Sequence, residues 1–425
     1  MQPDDCTYRA YVEILRRQLV AAQGCTEPIS VAWGGALARE RLGAMPESIA
    51  IRCSNNIIKN VKSVVVPNTN GLRGVDVAAV IGAVAGVAAK KLEVLSGVGA
   101  ADIEQARAYL AQGICRVDKL ASTANLHFVL TATANGHTVE IEIIDEHTNV
   151  IRIEHDGEVV FRKERDAAAH DEPDYDCLTV RDILDFADTV HLPDVADPIG
   201  RQIDCNTRIA REGLSGDYGV SVGKTLLAAC GDGVTVRAKA NAAAGSDARM
   251  SGCELPVVIN SGSGNQGLAV SLPVIEYARE IGAGQDRLYR ALVVSNLVAI
   301  HQKSKIGWLS AFCGAVTAAC GSGAAITYLS GGSYEDISHT IVNILGNVSG
   351  MICDGAKPSC AAKIASAVDA AFMGHYLARS QRFFPAGDGI VKGDLEKTIQ
   401  AVGTLGHKGM SQTDEEVLQI MLDND

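Results

Sequence analysis

The sequence predicts an α+β N-terminal domain followed by a large all-α domain. Between about residues 47 and 162, short segments alternate apolar and polar residues and are rich in β-branched side chains, as is typical of strands. After about residue 177 this pattern almost disappears, and apolar residues at helical spacing are interrupted only by glycine clusters. Apolar residues make up 47% of the 425 residues but aromatic residues only 4%, so we expect cores of small side chains and closely packed helices.

The first region, residues 1–46, is expected to be helical. An amphipathic helix is predicted at about 7–22, a break at Gly24, and a second helix at about 27–42. Thr26 suits an N-cap and Pro28 suits the first helical turn, so Cys25 lies just before a helix N-terminus. We expect these N-terminal helices to pack on the C-terminal domain.

The second region, residues 47–165, is predicted to be the α+β domain. Its expected strands include SVVVPN at 63–68, and its expected hairpin turns are Asn-Gly at 135–136 and Asp-Gly at 156–157. Helices are expected at about 75–92 and 100–112, and the charged stretch 162–174 resembles a linker. The third region, residues 166–425, is then the all-helical domain.

Charge and hydropathy exclude several classes of function. A net charge of −12 without a basic run argues against nucleic-acid binding. The N-terminal sequence lacks a basic segment followed by an apolar one, so we expect a cytoplasmic protein without a secretory signal. The uncharged stretch 306–334 could span a bilayer by length, but its small residues supply little transfer energy, and we interpret it as a helix buried in protein. A homo-oligomer is compatible with the sequence.

Twelve cysteines without a secretory signal indicate metal binding or catalysis rather than disulfides. Cys313 and Cys320 form one pair and Cys353 and Cys360 another, each with six intervening residues. The spacing matches neither a zinc C-x-x-C pair nor a ferredoxin motif. On spacing alone, metal ligands and unrelated core cysteines are both open.

Two further segments could contribute to a site. Cys25 precedes a helix N-terminus, which would lower the pKa of its thiol, although the local sequence also fits a cysteine without a role. SGSGNQG at 261–267 could surround an anion such as a substrate carboxylate with backbone N–H groups, aided by Ser263 and Asn265 and ending at Gly267. It could equally be a tight connection between helices.

Four segments occur in order along the chain: GCTEP at 24–28, SGSGNQG at 261–267, SAFCGAVTAACGSGAA at 310–325 and MICDGAKPSCA at 351–361. Together they resemble the L-cysteine desulfidase family, also called UPF0597, which is related to the alpha chain of iron–sulfur L-serine dehydratases. The resemblance implies a [4Fe–4S] cluster held by Cys313, Cys353 and Cys360, with Cys320 as a packing residue and Cys25 as the catalytic base.

The implied reaction is α,β-elimination of L-cysteine to hydrogen sulfide, pyruvate and ammonia, without pyridoxal phosphate. Three protein ligands leave one iron open, and that iron can act as a Lewis acid on the departing thiolate. Ser263, Asn265 and Gly267 are the expected substrate-binding residues. Three alternatives remain: an iron–sulfur L-serine dehydratase, a non-catalytic iron–sulfur sensor or binding protein, and a pyridoxal-phosphate lyase. The last needs a parallel sheet around SGSGNQG, where the sequence predicts helices.

Overall fold

A computed structural model describes residues 1–122, 124, 126–163, 173–308 and 310–422. Its α-helices are α1 Cys6–Gln18, α2 Thr26–Leu42, α3 Asn55–Val61, α4 Val75–Ala85, α5 Ala100–Ala111, α6 Val180–Thr189, α7 Ala196–Ser215, α8 Val222–Cys230, α9 Val234–Met250, α10 Gly264–Glu280, α11 Gln285–Ile306, α12 Gly314–Leu329, α13 Tyr334–Val348, α14 Cys360–Arg379, α15 Leu395–Thr404 and α16 Ser411–Leu422. Its strands are β1 Ala21–Gln23, β2 Ser48–Cys53, β3 Cys115–Lys119, β4 His127–Ala134, β5 His137–Ile144, β6 Val150–His155, β7 Glu158–Arg162 and β8 Pro256–Val258.

The N-terminal half contains a mixed six-stranded sheet in the order β3-β2-β4-β5-β6-β7. β2 pairs parallel with β3, and all the other neighbours are antiparallel. The turns at Asn135-Gly136 and Asp156-Gly157 have positive φ at both positions, which is the backbone of a two-residue hairpin and confirms the predicted turns. The sequence therefore predicted the position of the sheet in the chain, although β3 was not among the expected strands.

The C-terminal half is built from helices α6 to α16 around a core of alanine, valine, leucine and isoleucine. α1 belongs to this core, where Tyr11 packs edge-on against Phe186 with ring centroids 5.3 Å apart. α2 differs from the prediction, because its buried side chains pack with α4 and the sheet in a second core. The N-terminal helices thus divide between the two cores, and Cys25 lies at the junction.

The expected strand at 63–68 is wrong. Only a single bridge joins Val65 and Arg73, since Asn68 and Asn70 take positive φ and the chain turns back after Pro67. The prediction of an all-helical C-terminal region is also incomplete, because β8 pairs antiparallel with β1. These three-residue strands are too short to show periodicity in sequence, yet they connect the segment before Cys25 to the segment before SGSGNQG.

The uncharged stretch 306–334 is not one helix. α11 ends at Ile306, Gly307 takes a φ of 99°, and α12 begins at Gly314. The predicted linker at 162–174 lies mostly in residues 164–172, outside the described residues.

In the described part of the chain, no helix combines the length and apolar character needed to cross a membrane.

Candidate active site

A cavity of about 400 Å³ lies where the two halves of the protein meet. Its walls come from α3 and the β5–β6 loop on one side, and from the starts of α10, α12 and α14 on the other. The lining residues include Cys25, Ser263, Asn265, Cys313, Cys353 and Cys360. The structure thus brings six of the seven sequence-predicted site residues to one cavity.

Four helices begin at this cavity. Cys25 is the N-cap of α2, Ser263 the N-cap of α10 and Cys313 the N-cap of α12, while Cys360 is the first residue of α14. The first turn of a helix has backbone N–H groups without intrahelical partners, and its dipole favours negative charge. Four such termini around one cavity favour thiolates or a bound anion.

Backbone pairing holds two of the cysteines side by side. Phe312 and Ile352 form an isolated antiparallel bridge. On either side of it, the Cys313 N–H donates to the Met351 carbonyl at 3.0 Å, and the Cys353 N–H donates to the Ala311 carbonyl at 2.6 Å. Two segments distant in sequence are therefore fixed in one register, which orients Cys313 and Cys353 into the same space.

Cys360 completes the group through the loop that precedes α14. Its N–H donates to the Lys357 carbonyl at 3.0 Å. Its Sγ lies 3.7 Å from the Gly355 carbonyl, and Gly355 needs its positive φ of 88° where the loop passes against the Lys59 backbone. The glycine in this loop is thus required for the turn that brings Cys360 back to the cavity.

The three thiols suit a multi-iron group better than a single ion. A tetrahedral zinc with Zn–S bonds near 2.3 Å needs sulfurs about 3.8 Å apart. Across the described residues, only His137, His155 and Asp156 place three ligating atoms within 4.8 Å of one another. At least one pair of the three cavity sulfurs is therefore more than 4.8 Å apart, which is wider than a single tetrahedral ion allows.

Charge around the three thiols also fits thiolate ligands. Burial and the neighbouring Cys353 raise the pKa of Cys313 to about 12, so ionisation needs compensating positive charge. Lys303 is buried beside them, and burial lowers the pKa of its ammonium to about 8, partly offset by Cys353 and Cys313. A bound metal centre would supply the remaining positive charge.

Cys320 lies apart from this group. It is fully buried in the helical core, on the second turn of α12, and is not among the cavity-lining residues. Burial raises the pKa of its thiol. These observations agree with the packing role that the resemblance implied.

The expectation of a lowered pKa at Cys25 is wrong. Burial and the adjacent Glu27 carboxylate raise the pKa of Cys25 well above its ordinary value, and these effects outweigh the helix N-terminus. Its Sγ–H donates to Glu27 Oε2 at 3.0 Å. Cys25 is therefore a neutral thiol at rest, held against a potential proton acceptor.

Glu27 is the acceptor that the sequence analysis overlooked. Its carboxylate also accepts from Thr26 Oγ1 at 3.1 Å and Asn60 Nδ2 at 2.9 Å. Burial opposes its ionisation, but the charge of His147, the hydrogen bond from Cys25 and the charge of Arg249 hold the pKa of Glu27 below its ordinary value. Glu27 is thus ionised near neutral pH although it is buried.

Two more cavity residues were missed. His147 is half-buried in the loop after β5, and desolvation lowers the pKa of its ring. Arg249 is a fully buried cation in the last turn of α9, two residues after Asp247. The same helix carries Arg237 and Lys239, so the sequence offered no local signal that sets Arg249 apart.

The SGSGNQG segment divides into two parts. Ser261 and Gly262 form a turn with φ of 51° and 76°, and Thr26 Oγ1 donates to the Gly262 carbonyl at 2.9 Å, which joins this loop to the GCTEP segment. Ser263 and Asn265 then line the cavity. Gly267 does not, because it packs against β8, where an added Cβ would lie 2.0 Å from the Val258 carbonyl oxygen. The expected substrate role of Gly267 is therefore replaced by a packing role.

Comparison with known proteins identifies the family. Residues 89–419 match the model of the serine dehydratase alpha chain. A UPF0597 protein of Lachnoclostridium phytofermentans is 52% identical over 415 residues, covering 98% of this chain and 100% of the relative. A UPF0597 protein of Desulfitobacterium hafniense is 51% identical over 423 residues, covering 99% and 98%, and one of Treponema denticola is 50% identical over 429 residues, covering 99% and 100%. The chain belongs to the serine dehydratase alpha chain family, together with these UPF0597 proteins.

Proposed function

We propose that this protein is an iron–sulfur lyase that eliminates the β-substituent of L-cysteine, releasing hydrogen sulfide, pyruvate and ammonia. Membership of the serine dehydratase alpha chain family supports a lyase. The observation that carries the proposal is the convergence of Cys25, Cys313, Cys353 and Cys360 on one cavity, with a carboxylate hydrogen-bonded to Cys25. We also propose that it acts in the cytoplasm on a small amino acid.

Cys313, Cys353 and Cys360 would hold a [4Fe–4S] cluster, and no pyridoxal phosphate is required. The convergence of the three thiols on one cavity, with at least one pair of sulfurs too far apart for a single ion, supports this assignment. When bound, such a cluster supplies an open iron that acts as a Lewis acid toward the leaving group. Iron in a sulfur environment is soft, which favours a thiolate leaving group over hydroxide.

The protein's own residues would remove the α-proton. Because the thiol of Cys25 is neutral at rest, its own proton must leave as the sulfur takes the α-proton of the substrate, and Glu27 Oε2 at 3.0 Å is placed to accept it in the same step. The raised pKa of Cys25 and the lowered pKa of Glu27 disfavour a free thiolate, and a single concerted step avoids one. Asn60 and Thr26 hold the Glu27 carboxylate in position during this transfer. The base is thus a dyad rather than a cysteine activated by a helix alone.

A second candidate is an L-serine dehydratase with the same residues and hydroxide as the leaving group. The name of the matching family favours it. The two functions differ in the atom that leaves, whereas Cys25 and Glu27 would act at the α-carbon, which both substrates share. The choice therefore rests on turnover.

The test is an anaerobic assay of iron-loaded protein with L-cysteine and L-serine in parallel, without added pyridoxal phosphate. We expect sulfide, pyruvate and ammonia in equal amounts from L-cysteine, and much slower turnover of L-serine. Cys6→Ser, at an exposed cysteine that does not line the cavity, is the control and should behave as the wild type. Faster turnover of L-serine supports the dehydratase, whereas an intact cluster without turnover of either amino acid supports a sensor or binding protein.

A further inference from the structure

Arg249 is a buried cation without a partner. Its side chain lies in the last turn of α9 and is only 2% exposed. Within the described residues, its guanidinium takes part in no ion pair, and Nε is buried without a hydrogen-bond acceptor. An unpaired buried charge is costly, so a protein that keeps one has a reason outside its own fold.

The guanidinium faces the cavity at the start of α10. Arg249 lines the cavity, and Gly264 is the first residue of α10. An added Cβ on Gly264 would lie 2.3 Å from Arg249 Nε and 2.8 Å from Cζ, so the absence of a side chain there makes room for the guanidinium. A cation and the N–H groups of a helix start therefore meet at one place, and both favour an anion.

The neighbouring carboxylates form no ion pair with Arg249 among the described residues. The charge of Arg249 helps to keep Glu27 ionised, but the polar contacts of that carboxylate are with Cys25, Thr26 and Asn60. Asp247, two residues earlier in α9, instead accepts from the Gly223 N–H at 3.3 Å. The N–H groups of the Arg249 guanidinium are thus left for a ligand.

An unpartnered acceptor lies next to this positive site. Asn265 Oδ1 is buried without a donor, while its Nδ2 is 3.6 Å from the sulfur of Met250, the residue after Arg249. An amide oxygen in this position can accept from an ammonium group. A guanidinium and an amide oxygen beside one another match the carboxylate and the ammonium of a free amino acid.

We propose that Arg249, the first turn of α10 and Asn265 bind the α-carboxylate and α-ammonium groups of an L-amino acid. The inference rests on the proposed function, since it assigns the residues that bind the part of the amino-acid substrate that both leaving groups have in common. Cys25, Met250 and Cys360 share one apolar cluster. An amino acid anchored at Arg249, beside Met250, therefore lies close to both Cys25 and Cys360. The site selects amino acids over amines and over amino-acid amides.

The experiment compares Arg249→Gln and Arg249→Lys with the wild type, and Arg201→Gln as a matched control at an exposed arginine paired with Asp197. Binding of L-serine and L-serinamide is measured by titration calorimetry on anaerobic iron-loaded protein, and KM and kcat are measured with L-cysteine. We expect Arg249→Gln to weaken binding of the acid by about 10- to 100-fold, the range for one lost hydrogen bond to a charged group. Arg249→Lys should recover part of the loss, and Arg201→Gln should match the wild type.

The amide provides the decisive contrast. L-serinamide should bind the wild type weakly, and its affinity should not change in Arg249→Gln. With L-cysteine as substrate, Arg249→Gln should change mainly KM. Because Arg249 forms no ion pair with any described residue, Arg249→Gln should melt close to the wild-type temperature. If L-serinamide binds the wild type as tightly as L-serine does, the proposal is wrong. This comparison needs no variant. If Arg249→Gln retains the wild-type KM while L-cysteine is turned over, Arg249 is not the anchor but the lyase stands. If Arg249→Gln loses binding of L-serine but the wild type turns over neither amino acid, Arg249 is the anchor and the proposed lyase activity is wrong.

Discussion

Glu27→Gln tests the proton acceptor of the proposed base. The substitution preserves the shape of a side chain that is only 7% exposed. It also keeps an oxygen that can accept the hydrogen bond from Asn60 Nδ2, which is 2.9 Å long in the wild type. It removes the negative charge that receives the proton of Cys25 across 3.0 Å. Removal of a general base costs about 10²- to 10⁴-fold in rate, or roughly 3–5 kcal/mol, and we expect kcat to fall within this range.

The double variant makes this test sharper. If Cys25 and Glu27 act as one unit, Cys25→Ala combined with Glu27→Gln should be no slower than the slower single variant, because either change disables the same proton transfer. Independent residues would instead multiply their losses to about 10⁴-fold or more. The assay is initial-rate turnover of L-cysteine, with exchange of the substrate α-hydrogen into heavy water followed by NMR as a direct readout of the base.

The pH dependence has a defined sign. The pKa of Glu27 lies below the ordinary value of 4.5, so the carboxylate is present above that pH, and wild-type kcat/KM should fall only in more acidic solution. Glu27→Gln should lose this acidic limb. Multiplied losses in the double variant, or wild-type α-hydrogen exchange in Glu27→Gln, would refute the dyad and place the acceptor elsewhere.

Two predictions concern the fold. Gly82→Ala should lower the free energy of unfolding by about 1–3 kcal/mol, because the new Cβ would lie 1.9 Å from the Ala32 carbonyl oxygen where α4 crosses α2. This overpacking exceeds the gain in helix propensity. The control is Gly97→Ala, which has open space around it and should change the free energy of unfolding by less than about 0.5 kcal/mol in chemical denaturation. Asp247→Asn should raise the free energy of unfolding at pH 7 by up to about 3 kcal/mol. Burial raises the pKa of Asp247 from 3.8 to about 6, so its ionisation costs stability as the pH rises between these values. The gain should shrink toward zero at pH 4 in denaturation curves, and an equal gain at both pH values would contradict the assignment.

Periodicity predicted the sheet and the helices because their patterns are long. The alternation in β4 and β5 and the Asn-Gly turn between them are local properties, readable from sequence without knowledge of the fold. The paucity of large side chains correctly indicated close helix packing, as the contact between Gly82 and Ala32 illustrates. The placement of α2 could not be predicted, because the choice between two cores depends on the partners each face meets.

The candidate site shows the same limit. The spacing of Cys313, Cys353 and Cys360 left their common location open, and only the resemblance joined them before the structure did. Cys25 was expected to have a lowered pKa because a helix start is visible in sequence, whereas the burial of the thiol and the charge of Glu27 depend on tertiary packing. Arg249 was overlooked because nothing local distinguishes a buried unpaired arginine from a solvated one.

Iron content tests the central claim, that three specific cysteines form the metal centre, most directly. The protein would be reconstituted anaerobically as the wild type, as Cys353→Ser and as Cys320→Ser, and iron would be counted per folded chain. The wild type should bind about four irons, the number in a [4Fe–4S] centre, and should bleach in air. Cys353→Ser should lose most of the iron, whereas Cys320→Ser, at a fully buried cysteine outside the cavity lining, should retain it. Full iron retention in Cys353→Ser, or equal loss in both variants, would contradict the account.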